Sequence, residues 1–445
     1  MSKSSTPHEI SSLRNKARAI FMAGVEAADP QRAIERSLRV RNHHLELLLE
    51  PSSPMSAVRS EPWQRVHLVA FGKAACAMAA AARALIPQRL LAGEGIIVTN
   101  YENVTEVPGF QVFGASHPLP DEAGLRGARA IVERVKQARE GDLLLVLISG
   151  GGSALVPYPP ESISLQDKIA TTQLLLACGA DINQINCVRK HLSLLKGGGL
   201  ARLAAPAALH ALILSDVLGD DLSSIASGPT MPDPTTYVDA VQVFRRYGVW
   251  DQVPAAVRAH LDRSCAGAVP ETPKPDDPLF ARVGNTLIGS NRFSVEAIKT
   301  AAARDGRAVE VYSTALSGEA REEAEKLARV TADKLQKDQF FALVAGGETT
   351  VTLRGSGRGG RNQEMVLAFA VAAEKYHLPS RWVFLSGGTD GRDGPTDAAG
   401  GIADPWTLTQ IRAAGGDPVR LLENNDSYQA LGLAGDLLRT GATGT

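Results

Sequence analysis

The feature that most constrains the fold is an alternation of two kinds of segment. From residue 66 onward, short and nearly continuous apolar runs recur, each ending in small or polar residues. They are VHLVAFG (66–72), GIIVTN (95–100), FQVFGASHP (110–118), LLLVLISGGG (143–152), LHALILSD (209–216), LIGSN (287–291), AVEVYST (308–314), FFALVAGGE (340–348) and WVFLSGG (382–388). Between most of them lie stretches rich in Ala, Leu, Arg, Lys and Glu with helical periodicity. A strand buried on both faces reads as a continuous apolar run, and parallel neighbours are joined by helical crossovers. The pattern predicts an α/β fold with largely parallel sheets. The first 50 residues read as helical instead. Asp29-Pro30 sets a capping residue ahead of a proline in the first turn, and QRAIERSLRV continues the helix.

A chain of 445 residues exceeds what one core usually serves, so two domains are expected. The segment 266–280 carries Pro270, Pro273, Pro275 and Pro278 and reads as a linker or long surface loop. That sets an N-terminal domain over 1–275 and a C-terminal one over 276–445. With 47 basic and 48 acidic residues the net charge is -1, so no global field favours nucleic acid or an anionic membrane. Four cysteines without a C-x-x-C pair make no disulfide framework and predict reduced thiols. The N-terminus shows no signal-peptide pattern, and no apolar run reaches the roughly 18 residues of a membrane span. A cytoplasmic protein is expected.

Ligands of open α/β sheets bind at the carboxyl ends of the strands, so the residues after each run are the candidates. Ser149, Gly150, Gly151, Gly152 and Ser153 follow the most apolar run. Consecutive glycines let several N–H groups face one concavity, and a helix start adds its positive end. Such a loop cradles phosphate or carboxylate, although a tight strand-to-helix turn needs glycines too. Lys73 follows VHLVAFG and opens the helix ACAMAAAARAL, where a cation is unfavourable unless an anion lies near. Asp216 ends LHALILSD and is a candidate Mg²⁺ ligand, since this ion takes one or two carboxylates plus phosphates. One of Asp220 or Asp221 reads as a helix cap.

The stretch after Asp181, a predicted N-cap, places Asn186, Arg189, Ser193 and Lys196 on one helical face, with Lys190 at its border and a stop at Gly197. That face either grips an anion or is solvated surface with Lys196 complementing the helix dipole. In the second half, Glu348 follows FFALVAGG, and Arg361 lies in RGGRNQE before the helical MVLAFAVAAEK. Asp390 belongs to the loop SGGTDGRDGPTD, which reads either as a holder of Mg²⁺ or substrate hydroxyls or as a plain turn. The chain has no G-x-x-x-x-G-K-[ST] loop, and FGKAACA has one glycine where a dinucleotide fingerprint needs three. No His/Cys cluster has zinc spacing. His117 and His191 are expected in structural roles.

Taken in order, AFGKAACAMA, GASHPLPDEAG, LISGGGSALVPYP, INCVRKHLSLLKGGGLA, LILSDVLGDDLSSIASGPT, GSN, AGGETTVTLRGSGRGGRNQE and LSGGTDGRDGPTDAAGG resemble the glycerate kinase family, whose second half is the MOFRL domain. The matching stretches span about residues 66 to 402. The resemblance implies two α/β domains, the larger N-terminal one Rossmann-like, with the active site in the cleft between them. It implies ATP- and Mg²⁺-dependent phosphorylation of D-glycerate to 2-phosphoglycerate, with Lys73 and Arg361 at the positions of the family's proposed catalytic residues. Relatives carry a further strand after a motif that here reads GATGT (441–445), which implies truncation at the C-terminus.

On that reading the 149–153 loop and the cations Arg189, Lys190 and Lys196 hold phosphates or the glycerate carboxylate. Lys73 and Arg361 neutralise the transferring γ-phosphoryl, and Asp216 either binds Mg²⁺ or orients the 2-hydroxyl. The expected partners are glycerate and ATP, with no nucleic acid or membrane, and the expected state is a monomer or homodimer. The alternative functions are an NAD(P)H-dependent hydroxypyruvate reductase and a non-catalytic binding protein for a small hydroxy acid.

Overall fold

A computed structural model describes residues 6–445 except 52, 54, 218, 305, 307, 336–340, 442 and 445. Phe340 of the eighth apolar run, and Ala442 and Thr445 of the terminal motif, therefore lie outside the described residues. The chain forms two compact units, one of residues 30–290 and one of residues 1–29 with 291–445.

In the first unit, strands β1 (Leu38–Arg41), β2 (His44–Leu48) and β3 (Val58–Arg59) form a small antiparallel sheet. The expected N-terminal helix therefore stops at Ser37. Residues 38–48 are a hairpin because Leu38, Leu45 and Leu47 alternate into the core, while Asn42 and His43 take the left-handed conformation of a two-residue turn.

The remaining strands of this unit are β4 (Val66–Phe71), β5 (Gly95–Asn100), β6 (Phe110–Ala115), β7 (Leu143–Ile148), β8 (Ala208–Leu214) and β9 (Val283–Gly289). They form one sheet, parallel throughout, in the order β6-β5-β4-β7-β8-β9. The apolar runs are continuous because both faces are covered. Leu68, Ala70, Leu145 and Leu147 pack with the helix Ala75–Leu85, whereas Val69, Phe71, Val146 and Ile148 pack with the helices Glu122–Val135 and Gly199–Ala204. The strand order reverses between β4 and β7, and in doubly wound sheets the crevice for ligands opens at that reversal. A separate helical cluster joins Leu165–Ala177, Ile182–His191, Tyr237–Arg246 and Ala255–Cys265 through buried Leu175, Val188, Phe244 and Leu261.

The proline-rich stretch does not part the units. Thr272 and Pro273 are buried, Thr272 Oγ1 donates to Asp233 at 3.0 Å, and Asp233 N donates to the Pro273 carbonyl at 2.8 Å. The stretch is a packed strap that leads into β9, so the division falls at 290/291 rather than 275/276.

The second unit contains the parallel pair β10 (Ala308–Leu316) and β11 (Phe341–Gly347) and the antiparallel set β12 (Phe384–Gly387), β13 (Gly400–Ala403) and β14 (Leu437–Leu438). The N-terminal helix Pro7–Ala28 belongs here, not with the first domain as its place in the sequence suggested. Arg14 bridges Asp404 and Asp436 at 2.6 and 2.7 Å, and Ser294 Oγ donates to the Gly24 carbonyl at 3.0 Å. No helix among the described residues is long and apolar enough to cross a membrane.

Candidate active site

Three loops of the first unit meet at the carboxyl edge of its sheet. Lys73 N, after β4, donates to the Gly150 carbonyl at 2.8 Å, after β7. A Cβ on Gly150 would fall onto the carboxylate of Asp216, which follows β8, so glycine alone permits that approach. Gly151 sits at φ 83°, and a Cβ there would meet the His117 ring and the Lys73 side chain at 3.2 to 3.4 Å. Lys73, His117 and Asp216 are all exposed. The His117 ring is still partly desolvated by its neighbours, and that, followed by the Lys73 charge, holds it below the usual histidine range.

The glycine loop has the form of an anion cradle. Among the described residues, the N–H groups of Gly150, Gly151, Gly152 and Ser153 donate to no other group. Backbone donors left open in series at a loop-to-helix junction are what an oxyanion requires. Ser149 differs from its four neighbours. It is buried, and its Oγ accepts from Ala74 N at 3.0 Å, which caps the helix Ala75–Leu85. It therefore anchors the loop. Ser153 Oγ lies 2.7 Å from Ser227 Oγ, which donates to Asn186 Oδ1 at 3.0 Å.

Behind the loop is a cluster of cations. Lys196 is buried and donates to the Ser153 carbonyl at 2.8 Å. Lys168 is buried and donates to the Leu192 carbonyl at 2.8 Å. Arg189 is half-buried and has no hydrogen bond or ion pair among the described residues. Burial, followed by the Arg189 charge, lowers the Lys168 ammonium to about 7. Burial, then Lys168 and Arg189, holds Lys196 well below its ordinary value, and burial lowers Arg189. No carboxylate among the described residues pairs with any of the three.

Two details of the expected cationic face change. Asp181 caps its helix in a capping box with Gln184, as expected, but the helix ends at His191. The Lys168 ammonium takes the Leu192 carbonyl, and Leu194 N turns away to the Tyr158 carbonyl at 2.8 Å. Ser193 and Lys196 thus lie beyond the helix, and Lys196 reaches the loop from the following turn. Lys190 points elsewhere, 3.4 Å from the fully buried Asp233. It balances that carboxylate instead of joining the cluster. Asp221 accepts from Ser223 N and both the Ser223 and Ser224 hydroxyls, but it caps no helix: the helical turn here is Ile225–Ser227, with Ser224 before it. Lys168 and Ser227 were missed by sequence reasoning. Lys168 carries no local signal, because only a tertiary contact buries it. Ser227 had one in IASGP, where Ala226 and Ser227 take φ 51° and 59° ahead of Gly228-Pro229.

In the second unit, Arg361 opens the helix Arg361–Lys375, and its guanidinium lies 3.3 Å from Glu348, both half exposed. The start of that helix is already filled. Buried Asp393 accepts from Asn362 N at 3.1 Å, Asn362 Nδ2 at 3.0 Å and Gln363 N at 2.8 Å. The loop 386–397 thus supplies a helix cap. Asp390 is exposed and accepts from Arg392 N at 3.0 Å. Among the described residues, no group of three or more His, Cys, Asp or Glu side chains is arranged to hold a metal.

Comparison with known proteins bears on this arrangement. Residues 16–262 match a family model described as a domain of unknown function, DUF4147, and residues 341–445 match the MOFRL family. The chain is 41% identical over 426 residues to a Pyrococcus horikoshii protein named glycerate 2-kinase, covering 95% of this chain and 92% of that one. It is 40% identical to an Agrobacterium vitis protein named putative hydroxypyruvate reductase, covering 97% and 92%. A solved glycerate kinase structure from Thermotoga maritima is similar at a TM-score of 0.84 and 39% identity, covering 98% and 97%.

Proposed function

The chain belongs to the glycerate kinase family, and on that premise we propose that its glycine loop and cations serve transfer of the ATP γ-phosphoryl group to the 2-hydroxyl of D-glycerate, giving 2-phosphoglycerate and ADP. The observation that carries the assignment of this site is the row of four open N–H groups at 150–153, with Lys73 beside it. Phosphoryl transfer needs positioning and charge neutralisation more than covalent participation by the protein. Backbone donors and an exposed ammonium at one strand end supply both for a phosphate chain.

Lys73 and Arg361 are assigned to the charge that develops on the transferring group. Asp216 is assigned to Mg²⁺. A lone exposed carboxylate beside an anion cradle fits an ion that takes most of its other ligands from phosphate and water. That ion, when bound, neutralises the β- and γ-oxygens. Arg189 and Lys196 form a second anion site for a phosphate or the glycerate carboxylate. Glu348 orients Arg361 across their 3.3 Å contact, and Asp390 is assigned to substrate hydroxyls. All four cysteines are free, which suits a reducing compartment, and we place the enzyme in the cytoplasm.

The test is incubation with D-glycerate, ATP and Mg²⁺, with the product identified by ³¹P NMR. A 2-phosphoglycerate resonance supports the reaction and its regiochemistry together. No phosphorylated product, with NAD(P)H oxidised in the presence of hydroxypyruvate, replaces the kinase reading with the reductase.

A further inference from the structure

Lys168, Arg189 and Lys196 have no counterion among the described residues, which is an electrostatic debt inside the first unit. A buried ammonium without an anionic partner is costly, and proteins usually avoid the cost by pairing or by neutralising the group. Among the described residues, Lys168 and Lys196 each make one hydrogen bond, to a carbonyl, and keep further donor capacity, and Arg189 makes none. An arrangement this unfavourable when empty is explained by an anion that completes it.

We infer that Arg189, with Lys168 and Lys196 behind it, is the receptor for the carboxylate of a short hydroxy acid rather than for a phosphate of the nucleotide. The inference rests on the kinase reading above. Two features separate the anions. Phosphate already has its own donors in the open N–H groups of 150–153, flanked by Lys73. Around Arg189 the groups suit a small polyol acid instead. Asn186 precedes it by one helical turn, accepts from Ser227 through Oδ1, and has no partner for Nδ2 among the described residues. The Ser153–Ser227 hydroxyl pair adjoins it. A planar guanidinium takes a carboxylate through two parallel N–H donors, and an amide with two hydroxyls can take alcohol oxygens. The carbonyl that Lys196 holds belongs to Ser153, so this receptor and the phosphate cradle share one loop residue. Lys168 is then a positioning residue, which supplies charge from behind without touching substrate.

The experiment uses the full chain, as wild type, Arg189→Lys and Arg189→Ala, with D-glycerate or its neutral amide, glyceramide, as acceptor. Losing a charged hydrogen-bonded contact raises KM for glycerate roughly 10- to 100-fold. KM for ATP stays within about twofold, since its donors are elsewhere. The wild type prefers glycerate to glyceramide, and that preference collapses in Arg189→Ala, a result that a merely structural role does not produce. Arg189→Lys keeps the charge, loses the fork and falls between. A raised KM for ATP with the glycerate preference intact assigns the cluster to phosphate and overturns the inference. Unchanged constants for both substrates overturn it as well. Binding of D-glycerate alone, measured by calorimetry, separates the two readings. A wild type that binds glycerate through Arg189 but phosphorylates nothing leaves the carboxylate receptor standing and sinks the kinase.

Discussion

The Lys196 ammonium donates to the Ser153 carbonyl at 2.8 Å, which ties a fully buried cation to the last residue of the open N–H row. Chemistry and stability are opposed at this contact. Replacing Lys196 by Met removes a buried amine that has no carboxylate partner among the described residues, which stabilises, and leaves the Ser153 carbonyl unpaired, which costs about 1–3 kcal/mol. The two offset, so thermal melting of Lys196→Met stays within a few degrees of wild type. Activity does not survive so well. The kcat/KM for glycerate falls about 100-fold or more, the scale of losing one preorganised charge donor. A variant that melts much lower and keeps its activity would reverse the assignment.

Lys73 offers a cleaner separation of folding from chemistry. Its backbone N–H and carbonyl hold the loops together, through Gly150, Thr99 and Asn103, while its exposed side chain makes no hydrogen bond among the described residues. Lys73→Ala therefore leaves stability unchanged and lowers kcat about 100-fold or more. Arg361→Ala gives up only a half-exposed pair with Glu348, worth about 1 kcal/mol at most, and lowers kcat in the same way. Denaturant melts beside steady-state kinetics decide both. A normal kcat removes the residue from the catalytic set.

Asp393 behaves in the opposite manner. It is buried and accepts two backbone N–H groups and the Asn362 amide at the start of the helix Arg361–Lys375. Removing such a cap costs about 1–2 kcal/mol, and more where donors are left buried. Asp393→Ala is expected to lose at least about 2 kcal/mol in urea unfolding, against a smaller loss for Asp393→Asn, which keeps an acceptor. Equal stability in all three proteins would show that the cap contributes nothing.

What could be read in advance follows the range of the forces involved. The strands were legible because Leu143–Ile148 and its neighbours are buried on both sides, so each position reports its environment directly. The loops were legible because a strand end is a fixed place in such a sheet. Three other features depend on partners far away in sequence. The helix Pro7–Ala28 declares its unit only through Arg14 meeting Asp404 and Asp436. Arg189 and Lys190 are adjacent cations, yet Asp233 takes one and leaves the other open. Asp393 resembles a metal-loop carboxylate until its three donors are seen.

Lys168 makes the acid–base behaviour of the site testable. Its ammonium is lowered to about 7 by burial and Arg189, and Lys196 also faces it, while the unfolded chain keeps the ordinary value near 10.5. Between those two values the unfolded chain binds a proton that the folded chain does not, so the Lys168 contribution to stability rises with pH across that window and is lost as pH falls through 7. Lys168→Met should flatten this part of the stability profile, measured as the difference from wild type in urea unfolding between pH 7 and 10. An anion bound at Arg189 works against the shift, since it favours the charged ammonium. D-glycerate binding near pH 8 must then take up protons. Calorimetry in two buffers of different ionisation enthalpy reads that uptake directly, and Lys168→Met should abolish it. Proton release on binding, or uptake unchanged in the variant, would mean that the bound anion does not face Lys168.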